Sequence, residues 1–226
     1  MSTVKKWRAY FLKVNSVKPD IIHFHCYAPD LAPLLWFAKR AGIKAIHSEH
    51  WSGFLPQHPT PLKGWRKVIA RWYMHECDIV LPVSKLLADG IKELAPKTKT
   101  QVVPNIIENR SSQAAEKRPA ISICVVADIM FSIKQQDKIL AIFSDLPRKQ
   151  FELHFYGGGP DESALEKMIK GQSNVFLHGR KSNTKILEIL PQHHALLLFS
   201  AYETFGITIF EARQAGLWTI SKKDFG

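Results

Sequence analysis

Glu203 and Glu211 close the two ends of the run Glu203-Thr-Phe-Gly-Ile-Thr-Ile-Phe-Glu211. A carboxylate accepts two hydrogen bonds side by side, which suits the vicinal hydroxyls of a ribose or hexose. The apolar run 196–200 before them reads as a buried strand, and the residues after Phe205 read as a helix. Glu203 therefore falls in the loop leaving a strand, and Glu211 on the helix that follows. Gly206 and Ile207 start that helix, where backbone N–H groups suit a phosphate. In open parallel α/β sheets, ligands bind at the carboxyl ends of strands. The spacing thus predicts sugar-binding groups on both sides of a phosphate seat.

Other residues could add to such a site. Lys134 follows the first apolar run of the second half. There it reads either as a point charge for a leaving diphosphate or as a surface lysine at a helix start. His50, in Ser48-Glu-His-Trp51, stands at the carboxyl end of a predicted strand, as a site residue or as a loop histidine bonded to backbone. Its neighbour Glu49 should point to the opposite face of an extended chain. Gly158 lies in Gly157-Gly-Gly-Pro160, a turn whose glycines also let backbone approach a ligand. Arg180 reads as a nucleobase-stacking group or as a solvated arginine. His23 and His25 share a strand face and are expected to be buried and bonded to neighbours, since no third metal ligand is indicated. His193 and His194 read as surface. No Cys/His cluster has zinc spacing, and no metal site is expected.

The elements that must position these residues follow from alternating short apolar and longer amphipathic runs, the pattern of α/β units with parallel sheets. Strands are expected at 20–25, 44–48, 79–82 and 100–103, then at 121–127, 151–156, 174–177, 195–200 and 218–221. The polar, aperiodic stretch 108–119 reads as a linker between a domain at 1–107 and a domain at 120–226. The chain of 226 residues has 46% hydrophobic and 23% charged residues, ordinary for a globular protein. No apolar run reaches the roughly 20 residues that span a bilayer. The first residues lack the apolar core of a signal peptide. Cys26, Cys77 and Cys124 read as reduced, partly buried thiols, which points to a cytoplasmic protein.

Charge is uneven. Residues 1–75 hold 12 Lys/Arg against 3 Asp/Glu, leaving 19 against 17 for the rest of a chain whose net charge is +11. That asymmetry predicts an anionic partner for the first third. Within it, residues 62–73 read as a helix with Lys63, Arg66, Lys67 and Arg71 on one face. Trp65, Val68, Ile69, Trp72 and Tyr73 lie on the other. Such a helix suits an anionic membrane surface, or packs on a core with a solvated outer face.

Six motifs in order extend the pattern around Glu203: Asp78-Ile-Val-Leu-Pro-Val-Ser84, Val102-Val-Pro-Asn105, Lys134, Gly157-Gly-Gly-Pro160, Phe176-Leu-His-Gly179 and Glu211-Ala-Arg-Gln-Ala-Gly216. Together with the E-x7-E spacing they resemble retaining glycosyltransferases of family 4. The resemblance runs from about residue 20 to the end. It implies the GT-B fold, two Rossmann-like parallel-sheet domains facing a cleft, here both incomplete because family members have further elements before Asp20 and after Gly226. It implies that Glu211 holds the nucleotide ribose and that Glu203 contacts the donor sugar. Phe205, Gly206 and Ile207 would offer backbone N–H groups to the diphosphate, Lys134 would stabilise it, and His50 would face the donor sugar. The loop at Gly158 would border the donor site. Family members carry a Gly-Arg pair where this chain has Ala127-Asp128, and an aspartate there would repel phosphates.

The expected activity is transfer of a hexose from a nucleotide-diphosphate sugar to a glycan or lipid-linked acceptor, without a cofactor. A membrane-peripheral position is expected through residues 62–73. An inactive fragment of such an enzyme and a GT-B nucleotide-sugar epimerase remain alternatives. A nucleic-acid partner is not expected, since no groove-entering motif or stacking platform is present.

Overall fold

The computed structural model describes residues 3–107 and 118–222. Chain contacts divide it into two compact units, one ending at Asn105 and one starting at Ile106. The expected linker lies, over 108–117, outside the described residues.

The first unit runs α1 (Thr3–Val17), β1 (Ile21–His25), α2 (Ala32–Arg40), β2 (Lys44–Glu49), α3 (Gly64–Glu76), β3 (Ile79–Pro82) and α4 (Lys85–Leu94). Its three strands are parallel in the order β1-β2-β3. The fourth strand expected at 100–103 shrinks to a single bridge, Thr100 beside Val80. Its backbone still follows β3, with Gln101 N–H on the Val80 carbonyl and Val103 N–H on that of Pro82. Pro104 ends such a run, because proline cannot donate to a ladder. Ser84 caps α4 by accepting from Leu87 N–H at 3.2 Å. Gly90 lets α4 approach the 52–54 turn closely, since a Cβ there would stand 2.3 Å from the Phe54 carbonyl oxygen.

The second unit runs β4 (Ile121–Val126), α5 (Phe131–Lys134), α6 (Gln136–Phe143), β5 (Phe151–Tyr156), α7 (Glu162–Ile169), β6 (Val175–Leu177), α8 (Asn183–Ile189), β7 (Ala195–Leu198), α9 (Ile207–Gln214) and β8 (Trp218–Ser221). All five strands are parallel, in the order β6-β5-β4-β7-β8. One sheet face packs Val125, Leu153 and Phe155 against Ile139, Leu140, Phe143 and Leu165. The other packs Cys124, Tyr156, Leu196 and Leu198 against Ile186, Leu190, Ala212 and Leu217. Each such large side chain contributes about 1.5–3 kcal/mol by burial. Covered faces explain why these strands read as continuous apolar runs rather than alternating ones.

Several burial expectations change. His23 and His25 are exposed on β1, their rings 4.2 Å apart, because only the Phe24 side of that strand is covered. His193 is fully buried. Cys77 and Cys124 are buried, while Cys26 is exposed; all three are free thiols.

Candidate functional site

From β4 the chain of the second unit steps outward through β5 to β6, then returns to the other side of β4 for β7 and β8. The reversal between β4 and β7 leaves a crevice at their carboxyl ends, the place where open α/β sheets take ligands. Lys134 reaches this crevice from the β4 loop and Glu203 from the β7 loop. Lys134 Nζ donates to Glu203 Oε2 at 2.8 Å, with side chains 24% and 17% exposed. The pair is partly shielded, yet open to a ligand from above.

Local structure fixes both partners. Buried Gln136 donates from Nε2 to the Asp128 carbonyl at 2.8 Å and accepts from Met130 N–H, clamping the β4 loop. Asp161 accepts from Phe131 N–H at 2.8 Å and so anchors the start of α5. Gln135, in the left-handed region at φ 54°, separates α5 from α6 and leaves Lys134 at the end of a single turn. The β7 loop is tied back by Ala201 N–H on the Ile133 carbonyl at 2.6 Å.

Gly206 precedes α9 at φ 73°, a conformation that glycine adopts without strain. It carries no capping side chain, so the first-turn amides of α9 face the crevice uncapped by Gly206. Ile207 is exposed there, and Phe205 stacks on Phe210 with ring centroids 4.9 Å apart. Glu211, one turn further on, accepts from Asn183 Nδ2 at 3.0 Å, which fixes one carboxylate oxygen and leaves the other available to a ligand.

The glycine loop after β5 nests against the β4 loop. A Cβ on Gly157 would stand 1.8 Å from the Ala127 carbonyl oxygen, and one on Gly159 would stand 2.3 Å from that of Ile129. This close approach gives the glycines a structural reason. It also lets Arg180, from the end of β6, reach across β5 to the β4 loop. Arg180 Nη2 donates to Asp128 Oδ1 at 2.7 Å and to the Gly158 carbonyl at 3.2 Å. The aspartate expected to repel phosphates is thus paired with a guanidinium that retains further donors.

Beneath this edge lies a stack of aromatic and imidazole rings. Tyr156 and His178 are stacked at 4.4 Å, and His154 lies between Phe176 and His193 at 4.7 and 4.8 Å. Glu152 can only accept as a carboxylate, so His154 Nε2–H donates to it at 3.1 Å. His154 Nδ1 must then accept from His178 Nε2–H at 3.0 Å. Tyr156 and His193 share a 3.0 Å hydrogen bond. Burial, reinforced by the Arg118 guanidinium and neighbouring imidazoles, pushes His154 and His193 down to about 3. Burial, Arg118 and Lys181 lower His178.

In the first unit, His50 directly follows β2 and is half-buried. Glu49 precedes it at the last position of β2. The carboxylate is fully buried and accepts from His50 N–H at 2.8 Å, Trp51 N–H at 2.7 Å and Tyr27 N–H at 3.0 Å. It also accepts from His47 Nε2 at 2.9 Å, while His47 Nδ1 accepts from the Tyr73 hydroxyl at 3.2 Å. This buried network sets the β1 and β2 loops and thereby the position of His50.

The structure therefore joins Lys134 with Glu203, Arg180 with the Gly158 loop, and Phe205, Gly206, Ile207 and Glu211 on one loop-helix segment. His50 belongs to the other unit. Asn183, Gln136 and Lys222 were not indicated by spacing. Lys222 donates to Gln135 Oε1 at 2.7 Å and lies over the Phe199 ring, a second cation beside the Lys134 loop. Burial and nearby Lys138 lower its pKa. Among the described residues, no group of three His, Cys, Asp or Glu is placed to hold a metal ion.

Residues 106–226 match the family described as glycosyl transferases group 1, and residues 2–109 match glycosyltransferase family 4. The chain belongs to the group 1 glycosyl transferases. Among relatives, N-acetyl-alpha-D-glucosaminyl L-malate synthase of Bacillus anthracis is 24% identical over 215 residues, 88% of this chain and 55% of that protein. The chain thus spans about half the length of this curated relative. Sucrose-phosphate synthase from Thermosynechococcus elongatus superposes with a TM-score of 0.79 at 15% identity, over 97% of this chain and 60% of that one. A S. aureus TarM variant, in complex with fondaparinux, alpha-GlcNAc-glycerol and UDP, gives 0.70 at 17% identity, over 88% of this chain and 41% of that one. These likenesses show a GT-B glycosyltransferase fold.

Proposed function

We propose that this chain takes a hexose from a nucleotide-diphosphate sugar and passes it to a hydroxyl on a glycan or lipid-linked acceptor, with retention at the anomeric carbon. The observation that carries this reading is the Lys134–Glu203 pair across the β4–β7 crevice, beside the start of α9. Lys134 supplies a compact positive charge for the leaving diphosphate. The first-turn amides of α9 receive a phosphate, and the free oxygen of Glu211 takes the ribose hydroxyls. Glu203 accepts from the sugar hydroxyls once the diphosphate shares Lys134. Arg180, held by Asp128, adds donors at the far side of the seat.

In this reading the anomeric carbon–oxygen bond to the diphosphate breaks as the acceptor oxygen bonds on the same face. The acceptor proton passes to the leaving phosphate oxygen. No protein carboxylate becomes covalently attached, unlike a double displacement. His50 orients donor and acceptor, and charge stabilisation by Lys134 and the helix amides stands where a resident metal would otherwise act. The names of the relatives favour uridine diphosphate as the nucleotide and N-acetylglucosamine as the first sugar to test.

Thermal unfolding of the chain with UDP-, GDP- and ADP-sugars tests the donor site. One nucleotide should raise the melting temperature, and Glu211→Ala should remove the rise. A chain that melts cooperatively with no response to any of the three would overturn the reading.

A further inference from the structure

We propose that the outer surface of the α1–α3 layer docks on an anionic lipid bilayer, with Trp65 and Trp36 entering the headgroup region. The topology brings these helices together. Parallel strands in the order β1-β2-β3 joined by right-handed crossovers place α2 and α3 on the same sheet face. α1 joins them through Phe11 against Phe37, ring centroids 5.0 Å apart. The inner sides are accounted for: Leu34, Leu35 and Ala38 of α2, and Ala70, Tyr73 and Met74 of α3, are buried.

The outer side has an unusual composition. α1, α2 and α3 together carry nine Lys/Arg and a single acid, Glu76 at the last position of α3. The helices of the second unit mix both signs, as in Glu162, Glu166 and Lys167 of α7. So the excess charge of the first third resides on one helical layer. Within that basic field stand large apolar groups in water: Trp65 is 62% exposed, Val68 68% and Trp36 52%. The apolar face expected over residues 62–73 is therefore divided. Tyr73 packs on the core and Ile69 and Trp72 are half-buried, whereas Trp65 and Val68 stand clear of it.

Each tryptophan has an arginine over its ring. Arg66 stands 5.5 Å from the Trp65 centroid, and Arg40 stands 4.9 Å from that of Trp36. Paired Trp and Arg, with the ring amphipathic and the cation beside it, suit the boundary between lipid tails and anionic headgroups. A nucleic acid would be drawn by the charge but has no use for an exposed valine one turn from a tryptophan, and α1–α3 show no recognition helix. A soluble acidic protein would need a shaped apolar pocket, whereas here the aromatic groups project outward. Charge complementarity and projecting tryptophans together select a bilayer carrying anionic lipid.

The placement has a consequence for the acceptor. α3 begins where the loop leaving β2 ends, so Lys63, Trp65, Arg66, Lys67 and Val68 lie at the carboxyl edge of the first sheet. His50 occupies that same edge. On the proposed transferase reading, a docked bilayer would present a lipid-linked acceptor to the edge that holds His50. The docking itself does not depend on that reading.

Vesicle flotation of the full chain tests the inference, without nucleotide present. Vesicles of phosphatidylcholine with one third phosphatidylglycerol should carry the protein up, while pure phosphatidylcholine should not. Each removed cation should weaken binding about fivefold, so Arg66→Glu with Lys67→Glu should abolish it. Trp65→Ala, an exposed change that leaves the fold intact, should weaken it about tenfold and reduce the blue shift and bromolipid quenching of tryptophan emission, the remainder coming from Trp36. Equal flotation with both lipids would overturn the proposal. So would salt-sensitive binding that Trp65→Ala leaves untouched, or a Trp65-dependent dimer in solution without vesicle binding. Nucleotide-induced thermal shifts of the same variants, measured without lipid, report the donor site separately.

Discussion

Glu49 and Glu203 belong to equivalent corners of the two units, each where a parallel strand gives way to its loop. Glu49 is fully buried, and its two oxygens accept from three backbone amides and one imidazole. Glu203 accepts from a lysine side chain at one oxygen and from its neighbour Thr204 N–H, 3.2 Å away, at the other. A carboxylate bonded to backbone fixes the path of the chain. A carboxylate bonded to a partly exposed lysine can exchange that partner for a ligand. The same residue type in the same kind of corner thus serves architecture in one unit and, on the proposed reading, chemistry in the other.

The largest effect should come from breaking that contrast directly. Glu49→Gln removes the charge that binds His47 and puts an NH2 group among backbone donors. It should cost about 3–5 kcal/mol, the loss typical when one partner of a buried charged network is removed. Urea unfolding would show the lost midpoint. Glu203→Gln should change stability by less than about 1 kcal/mol. It should instead lower turnover of the responsive nucleotide sugar about 10²–10³-fold, the scale of a group acting on developing charge. If Glu203→Gln destabilises the chain as much as Glu49→Gln, the two corners do the same job and the distinction fails.

A second contrast concerns histidines. His47 donates from Nε2 to the Glu49 carboxylate, while His154 accepts at Nδ1 from His178 and has Arg118 nearby. A proton added to His154 would set two donors face to face. The unfolded imidazole, with its ordinary value of 6.5, binds a proton as the pH falls through that value. The folded His154 and His193 do so only near 3. Between those limits the unfolded state binds more protons, so stability is full above 6.5 and falls as the pH drops. From pH 7 to 5.5 the two imidazoles together should remove about 2–3 kcal/mol. His154→Phe should flatten the urea-midpoint profile over that window. An unchanged slope would mean that His154 does not carry the acid sensitivity.

The contrast between the corners also shows what a sequence carries. Strand positions and the β7–α9 corner were legible because they depend on apolar runs and on one glycine at a helix start. Lys134 and Glu203, 69 positions apart, could be suspected only one at a time, since spacing says nothing about which loops a sheet brings together. The bonds around Glu49 were not legible for a related reason. Strand alternation sets its side chain opposite that of His50, but only the course of the loop after β2 brings backbone amides to its carboxylate. Burial of His193 and exposure of His23 follow from which sheet face receives a helix, a property of the topology. Asn183 and Gln136 carry no pattern at all, because a single hydrogen bond leaves no periodic trace.

Asp128 and Arg180 give the smallest and most discriminating test. Their side chains are 59% and 68% exposed, so solvent screens the pair, and Asp128→Ala should change stability by less than about 0.5 kcal/mol. By that measure it is an ordinary surface contact, unlike the shielded Lys134–Glu203 pair. Its geometry argues otherwise. Arg180 reaches past β5 to the β4 loop, and Asp128 is what holds it there. Arg180→Ala should weaken binding of UDP about tenfold and that of uridine much less, since a guanidinium acts on phosphate charge. Asp128→Ala should weaken UDP about threefold by freeing the guanidinium. In the Arg180→Ala background, Asp128→Ala should have no further weakening effect. Calorimetry of the two single variants and the double variant measures that coupling. Additive losses would mean that Asp128 acts on the nucleotide without Arg180. A gain in affinity from Asp128→Ala would mean that the aspartate restrains the site rather than arming it.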